Sequence, residues 1–293
     1  VGMGNLVGVV AAISAGGAGA VFWMWLAAFF GMMTNYSENV LGIYFRRRNK
    51  AGEWSGGAMY YLEDGLGGKR GCKHLGRILA VLFSIFAIFA SFGIGSMGQI
   101  NKIVINITSA FPVQSLLDAK VFGDISVYAL IIGIALMLLG GLIVLGGLKR
   151  IASVAERVVP FMVVLFVVGS LVIIGVNYAN ILPAFKAIFV GAFKPIAAIG
   201  GGIGVLISTV ITQGFKRGVF SNEAGLGSSV MVHSNSNVRE PVAQGMWGIF
   251  EVFADTMVVC TMTALVVLTS GAYNLVTGEA ASSDATLVAT AFN

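Results

Sequence analysis

The sequence is poor in charged residues. Asp, Glu, Lys and Arg make up 11% of its 293 residues, whereas hydrophobic residues make up 57% and the mean hydropathy is +0.90. This composition excludes an ordinary water-soluble domain and is typical of a protein embedded in a lipid bilayer. The net charge of +5 fits the anionic lipid of one membrane face, and nothing in the sequence indicates a nucleic acid partner.

Cysteine and histidine are also scarce, with two of each. Cys72 lies in a polar loop and Cys260 in a hydrophobic segment, so the two are not expected to form a disulfide. The hydrophobic segments contain no His/Glu metal set, no Ser–His pair and no paired aspartates. An intramembrane enzyme would need such a cluster of catalytic groups, so we expect no enzymatic activity and no cofactor.

Long runs without any charged residue occur six times along the chain. Each is long enough for a helix of about 20 residues, which spans about 30 Å of hydrocarbon, and the first is long enough for two. The sequence therefore predicts an all-α integral membrane protein with one partial and six full helices, in a single transmembrane domain over residues 1–293. The runs are Val1–Ser37, Ile78–Asn101, Ile125–Leu148, Val158–Phe185, Pro195–Phe215 and Thr256–Gly278.

The basic residues indicate how the predicted helices are oriented. Fourteen of the 18 Lys and Arg residues fall into three alternate loops, around residues 46–77, 149–157 and 216–239. Because basic loops remain on the cytoplasmic side, we expect these loops to be cytoplasmic and the first helix to run outward. The chain is thus predicted to be a multi-pass protein of the cell membrane, surrounded by the lipid bilayer.

The third basic loop begins with a polar segment that holds two candidate gating residues, Asn222 and Glu223. On the cytoplasmic side, Glu223 could pair with Lys216 or Arg217 and so close an inner gate. A solvated Glu223 without a partner is an equally acceptable interpretation, and the spacing of these residues does not separate the two.

Two glycine-rich stretches fall in the hydrophobic segments. The first is Gly2–Asn5, at the edge of the first helix, and the second comprises Gly200, Gly201, Gly202 and Gly204. Glycine costs about 1 kcal/mol relative to alanine in a helix, so the second stretch predicts a helix broken near the middle of the bilayer. The first stretch predicts a helix that opens to bind a small ligand, because freed backbone groups in hydrocarbon must line a cavity. Close packing of small residues is an equal alternative there.

The two stretches lie in helices of opposite orientation with four whole helices between them. This arrangement indicates a transporter that is built from inverted repeats and has two broken helices. The N-terminus of a half-helix suits a carboxylate, whereas unwound carbonyl groups suit Na⁺ or an amine. A zwitterion together with a cation would satisfy both ends, whereas a channel or a purely structural membrane protein fits these features less well.

Polar side chains inside the predicted helices are further candidates for binding. Gln99 must find a partner in hydrocarbon, either on a neighbouring helix or on a ligand with polar ends. Asp255 lies about 21 Å along the last full helix, and an ionisable group at that depth predicts a cation ligand, a proton carrier or a gate. A buried pair with Lys or Arg is the alternative. Thr256 adds a hydroxyl beside Asp255.

Several motifs resemble the sodium:alanine (alanine or glycine:cation) symporter family. The most specific is the run Gly-Gly-x-Gly-Ala-Val-Phe-Trp-Met-Trp within residues 16–31. The other matches are spread over the whole chain in the order of the family, at Gly2–Asn5, Gly56–Glu63, Gln99–Asn101, Arg217–Ser228 and Val252–Thr256.

The resemblance implies a LeuT-like fold and uptake of a small neutral amino acid, alanine or glycine, coupled to Na⁺ by alternating access. It implies substrate contacts from Gly2, Met3 and Gly4. It also implies contacts from Gln99 and from the glycines at 200–204. Met3 differs from the family, which usually has threonine at this position, so an amino-acid transporter of the same fold with a different substrate is an alternative.

The resemblance also implies that Asn5 helps to place the amine or the cation. Together with Asp255 and Thr256, this residue forms the predicted cation-binding set, with Na⁺ as the coupling ion and Asn5 as its possible ligand. Coupling to H⁺ through Asp255 is the alternative. Chains of the family extend beyond both ends of this one, so we expect this piece alone not to transport, and we expect a monomer.

Overall fold

The computed structural model describes residues 2–50, 52–123, 125–194, 207–282 and 286–292. Over these residues the chain folds into helices connected by loops and by two small antiparallel strand pairs. The helices are α1 (Gly4–Gly16), α2 (Ala20–Tyr44), α3 (58–66), α4 (Lys73–Ala110), α5 (Gln114–Asp118), α6 (Val127–Val144), α7 (Gly147–Val176), α8 (Ile181–Phe193), α9 (Ile207–Asn222), α10 (Ser229–His233), α11 (Pro241–Thr269) and α12 (Leu287–Phe292). The strands are β1 (Arg47–Arg48), β2 (Trp54–Ser55), β3 (Lys120–Phe122) and β4 (Ile125–Ser126), paired as β1–β2 and β3–β4.

Four helices of the described chain are long and apolar enough to cross a membrane: α4, α6, Arg150–Val176 of α7, and α11. They support the predicted all-α membrane protein, although the sequence predicted six full helices. α2 has 25 residues, but its second half carries a polar run at 34–39 that lowers its hydropathy. The charge-free run 195–215 lies mostly outside the described residues.

Four helices of the described chain contain a π-helical segment, which is wound more widely than an α-helix. The sequence predicted that α1 opens at Gly2–Asn5, but Met3 already has right-handed helical dihedral angles and a π-helical turn follows it. The glycines therefore loosen the helix without unwinding it. The predicted break at Gly200, Gly201, Gly202 and Gly204 lies outside the described residues. The π-helical segments are Gly4–Gly8 in α1, Tyr61–Leu66 in α3, Ser91–Met97 in α4 and Phe253–Cys260 in α11.

α9 packs along the first half of α2 and runs in the same direction. Gly214 faces Trp23, and Gly218 faces Ala27 one turn further along both helices. A Cβ added at Gly214 would lie only 2.4 Å from the Cβ of Trp23. Small residues at a helix contact let two backbones approach this closely, so these glycines fix the position of α9 on α2.

α11 packs along α2 in the opposite direction. Gly245 faces Tyr36, and Gly248 faces Asn39 and the backbone of Asn35. A Cβ added at Gly248 would lie 2.5 Å from Nδ2 of Asn39. Because α2 holds both α9 and α11, it determines which of their residues meet.

Helix α9 is separated from α10 by the non-helical residues 223–228, here called the 223–228 segment. Glu223, Gly225 and Gly227 have positive φ angles of 55°, 88° and 72°. This left-handed backbone ends α9 and is strained for any residue except glycine. α10 then continues beside the second half of α2, where Val230 packs against Gly42.

The 223–228 segment lies halfway along α2. Asn222 and Ala224, on either side of its first residue, both contact Gly31 of α2. At 1.5 Å per residue, Gly31 is about 16 Å from Ala20 and about 20 Å from Tyr44. The sequence predicted this polar stretch to be a cytoplasmic loop. The structure shows that it is non-helical and packs beside the middle of α2, and its cytoplasmic location stays a prediction.

The sequence placed Lys216 and Arg217 in a loop, whereas the structure places them in a helix. Both lie within α9, next to Gly218, which contacts Met24 and Ala27 in the first half of α2. That they are on the cytoplasmic side stays a prediction, because a long basic side chain on a helix can extend to a polar environment.

The interior is concentrated around α1, α2, α9 and α11. Half of the most apolar stretch of α11 is buried inside the protein, against 6% for α4 and for α6. Val9, Ile13, Met24 and Val210 are among the fully buried side chains of the core. The outer helices present their apolar side chains outward, as expected for surfaces in lipid.

Candidate functional site

A largely buried group of polar side chains joins α1, α9 and α11. Nδ2 of Asn5 donates hydrogen bonds to Oδ1 of Asp255 at 2.5 Å and to Oγ of Ser221 at 3.1 Å. The Ser221 hydroxyl donates to the other carboxylate oxygen of Asp255, Oδ2, which also accepts from Oγ1 of Thr256 at 3.2 Å. Nδ2 of Asn222 donates to Oγ1 of Thr256 at 3.2 Å. These five residues form the Asp255 cluster.

The local backbone explains how α1 and α9 approach each other at this point. A Cβ added at Gly4 would lie 2.9 Å from Cα of Ser221, so the contact requires glycine. The N–H of Gly2 donates to Oδ1 of Asn5 at 2.7 Å and fixes the orientation of that amide. Asn5 and Asp255 both lie in π-helical segments, and Nδ2 of Asn5 is also 3.3 Å from the backbone oxygen of Asp255.

The Asp255 cluster contains a carboxylate without a basic partner. Asn5, Asn222 and Thr256 are buried, with exposures of 3%, 6% and 0%. Among the described residues, no Lys or Arg forms an ion pair with Asp255; the ion pairs there involve Glu63, Asp64 and Glu251. The alternative of a buried pair with Lys or Arg is therefore not found in this part of the chain.

A cavity of about 290 Å³ lies against the Asp255 cluster. It extends from Asp255 one turn back along α11 to Glu251 and is bounded on the other side by the 223–228 segment and α10. Eight of its nine lining residues are polar or charged, and three of them are carboxylates. The lining residues are Ser221, Asn222, Glu223, Ser228, Ser229, Val232, His233, Glu251 and Asp255.

A second polar contact lies at the far end of the cavity. Nε2 of His233 lies 2.9 Å from Oε2 of Glu251, and Nδ1 of His233 lies 2.5 Å from Nε2 of Gln244. The same Glu251 oxygen accepts from Nδ2 of Asn35 at 3.3 Å. This contact ties α10 to both α2 and α11 at one level.

A sequence model of the sodium:alanine symporter family matches residues 1–293. The chain belongs to this family. Its curated relatives include an uncharacterized transporter of Haemophilus influenzae, 43% identical over 94% of this chain and 56% of the relative. They also include the sodium/alanine symporter AgcS of Methanococcus maripaludis, 41% identical over 92% of this chain and 55% of the relative. The probable sodium/glutamine symporter GlnT of Bacillus subtilis is 35% identical over 94% and 52%.

Membership of the sodium:alanine symporter family confirms the resemblance that the motifs predicted. The chain spans about half the length of the curated relatives it matches. The family and these relatives are transporters, which points to transport and not to an enzymatic reaction. The chain is therefore a multi-pass membrane protein of a cation-coupled amino-acid symporter family.

For the predicted substrate residues of the symporter family, the structure gives a mixed result. Gly2, Met3 and Gly4 lie at the start of α1, next to the Asp255 cluster. Gln99 lies on α4, where it is exposed and forms no hydrogen bond with the described residues. A Cβ added at Gly98 would lie 3.5 Å from Cε of Met3. α4 thus passes beside α1, but Gln99 is not joined to the cluster.

The surroundings of the two predicted gating residues differ. Asn222 is buried in the Asp255 cluster, and its Oδ1 accepts from the N–H of Ala224 at 3.1 Å. Glu223 is exposed, and its carboxylate accepts from the hydroxyl of Ser228 instead of pairing with a basic residue of α9. Within the ranges that the structure describes, no Lys or Arg forms an ion pair with Glu223, which agrees with the interpretation of Glu223 as a solvated residue without a basic partner.

Two members of the site were not predicted from the sequence. Ser221 was part of a family motif but had no role assigned to it, although it precedes Asn222 in the same polar run. Cys260 was considered only for a disulfide, yet its Sγ lies 3.1 Å from Oγ of Ser221 and 3.6 Å from Nδ2 of Asn5. Residues five apart face the same side of a π-helix. A π-helical segment at this position would therefore have predicted that Cys260 lies on the same side as Asp255.

Proposed function

We propose that this protein forms part of a symporter that takes up a small neutral amino acid together with Na⁺ by alternating access. The observation that carries the proposal is Asp255, a half-buried carboxylate on α11 with hydrogen-bond donors but no basic partner in the described chain. A carboxylate at the level of a membrane interior is a site for a cation. Cation-coupled transport is also the activity for which the family is named.

Na⁺ would bind at the Asp255 cluster as transported cargo. Carboxylate, hydroxyl and carbonyl oxygens are the ligands that hard cations prefer. In the described state, Asn5, Ser221 and Thr256 all donate hydrogen bonds in this cluster. For Na⁺ to bind, the hydroxyls of Ser221 and Thr256 and the amide of Asn5 would rotate so that the oxygen of each points towards the ion. The carboxylate of Asp255 would then bind Na⁺ in place of these hydrogen-bond donors.

The amino acid would bind beside this cation, at the start of α1. Gly2 and Gly4 expose backbone there, and Gln99 and the glycines at 200–204 would complete the site in the LeuT-like fold that we propose. The thioether of Met3 gives this region an apolar wall next to Gly98. Such a wall suits alanine or glycine better than an amino acid with a polar side chain.

The cavity would be the path between the site and the cytoplasm. It runs from Asp255 to Glu251 and His233, towards the end of α2 that leads into the basic residues 46–77. Basic loops remain cytoplasmic, so this is the inner side. The cavity is close to the lower limit of small-molecule sites, about 300 Å³. We propose that the symporter acts as a monomer in the cell membrane.

Uptake by the full-length protein in proteoliposomes tests the proposal. Labelled alanine and glycine are offered with an inward Na⁺ gradient and, separately, in Na⁺-free buffer. We expect Na⁺-dependent uptake that Asp255→Asn abolishes, because this change keeps the shape of the side chain but removes its charge. Asp118→Asn, at an exposed position on α5, is the matched control and should transport normally.

Two results would contradict Na⁺ binding at Asp255. Uptake that follows an inward pH gradient and ignores Na⁺, but is still lost in Asp255→Asn, would make Asp255 a proton carrier. Na⁺-dependent uptake that is unchanged in Asp255→Asn would place the cation elsewhere. Uptake of another amino acid in place of alanine and glycine would assign the difference in substrate to Met3.

A further inference from the structure

The 223–228 segment is attached to α2 through one carboxylate. The N–H of Gly225 donates to Oε2 of Glu38 at 3.1 Å. With a φ angle of 88°, Gly225 has left the helical pattern of α9. Its N–H group therefore finds its acceptor outside that helix, on α2.

Glu38 has no competing basic partner in the described part of the chain, where no Lys or Arg forms an ion pair with it. One titratable neighbour of Glu38 is Tyr61 of α3. Burial, and secondarily the negative charge of Glu38, raises the pKa of Tyr61 to about 12. The carboxylate of Glu38 is therefore directed to the 223–228 segment and not to the basic residues that follow α2.

The attachment bears on the transport site because the segment begins where α9 ends. Ser221 and Asn222 are the last two residues of α9, and they bond to Asp255 and Thr256. Gly225 follows Asn222 by three residues. A shift of the segment away from α2 would thus move the end of α9 and change the distances within the Asp255 cluster.

We propose that Glu38 is a positioning residue for transport. It holds the 223–228 segment on α2 through the backbone N–H group of Gly225, and so sets the geometry of the Asp255 cluster without touching the cargo. This inference rests on the proposed function, because it assigns Glu38 to the same cation site.

The first test compares Glu38→Gln, Glu38→Asp and Glu156→Gln in the full-length protein in proteoliposomes. Glu156 is an exposed carboxylate on α7, so its variant controls for the loss of one negative charge. We expect Glu38→Gln to raise the Na⁺ concentration for half-maximal uptake about tenfold, as for the loss of a hydrogen bond to a charged group. Glu38→Asp, which keeps the charge, should lie between Glu38→Gln and the wild type.

A purely structural role for Glu38 would give a different result. It would lower the amount of folded protein and leave the Na⁺ concentration for half-maximal uptake unchanged in the protein that remains. That outcome would overturn the proposal. Equal shifts in Glu38→Gln and Glu156→Gln would also overturn it, since the effect would then be one of net charge.

A second measurement follows the 223–228 segment directly. Leu226 is 51% exposed, and Leu226→Cys in a Cys72→Ser background gives the segment a thiol for maleimide labelling. We expect Glu38→Gln to speed this labelling about tenfold, and an unchanged rate would overturn the proposal. Labelling can be measured without transport. If the wild type shows no uptake, the proposed function is rejected, and the labelling rates still test whether Glu38 holds the 223–228 segment.

Discussion

Nδ2 of Asn5 and Oδ1 of Asp255 lie 2.5 Å apart, although 250 residues separate them in the chain. This contact joins the first described helix to the last long one and places an amide directly on an unpaired carboxylate. Ser221 reaches the other carboxylate oxygen from a third helix. The three helices thus share one charged group, which makes the site sensitive to any movement between them.

A double-mutant cycle on Asn5 and Asp255 is expected to be non-additive. Asn5→Ala and Asp255→Asn should each raise the Na⁺ concentration for half-maximal uptake or abolish uptake. The double variant should be no worse than the poorer single variant, because residues in direct contact typically couple by about 0.5–3 kcal/mol. The measurement is Na⁺-dependent stability or uptake of the full-length protein. A cycle of Asn5→Ala with Asp118→Asn should be additive.

Gly4→Ala is expected to damage the site through a backbone clash. The added Cβ would lie 2.9 Å from Cα of Ser221 and 3.1 Å from the carbonyl oxygen of Phe220, and neither backbone atom can move away alone. Overpacking of this kind costs about 1–3 kcal/mol. Thermal unfolding in detergent and uptake should both be impaired. Gly133→Ala on α6 is the control, because its Cβ would meet nothing within 4 Å; an equal loss there would refute the clash.

The phenol of Tyr61 is expected to lose its proton at a higher pH than an ordinary tyrosine. Burial and the charge of Glu38 raise the pKa of its phenol from 10.0 to about 12. Because the pKa is higher in the folded state, this group's contribution to the free energy of unfolding is present below about pH 10 and is lost as the pH rises through about 12. The phenolate absorbance difference between wild type and Tyr61→Phe measures the pKa.

Glu38→Gln provides an internal check on this assignment. It should lower the pKa of Tyr61, because it removes the nearby negative charge. The pKa should nevertheless stay above its ordinary value, because burial is the larger cause. An unchanged pKa of Tyr61 in Glu38→Gln would mean that the two side chains are not neighbours in the folded protein.

The sequence by itself determined that the protein lies in a membrane, that it is mostly helical, and that Asp255 stands in a hydrophobic segment. These are local properties: hydropathy over about 20 residues decides whether a segment can leave water, and one carboxylate within such a segment is conspicuous. The motifs determined the symporter family in the same way, because each is a short run of residues.

Only the tertiary structure decided which of these residues meet. The partners of Asp255 come from α1 and α9, and the glycines of α9 and α11 fix their register on α2. The position of the 223–228 segment beside Gly31 also follows from that packing. Proximity depends on contacts between distant segments, and no local count of charge or glycine contains that information.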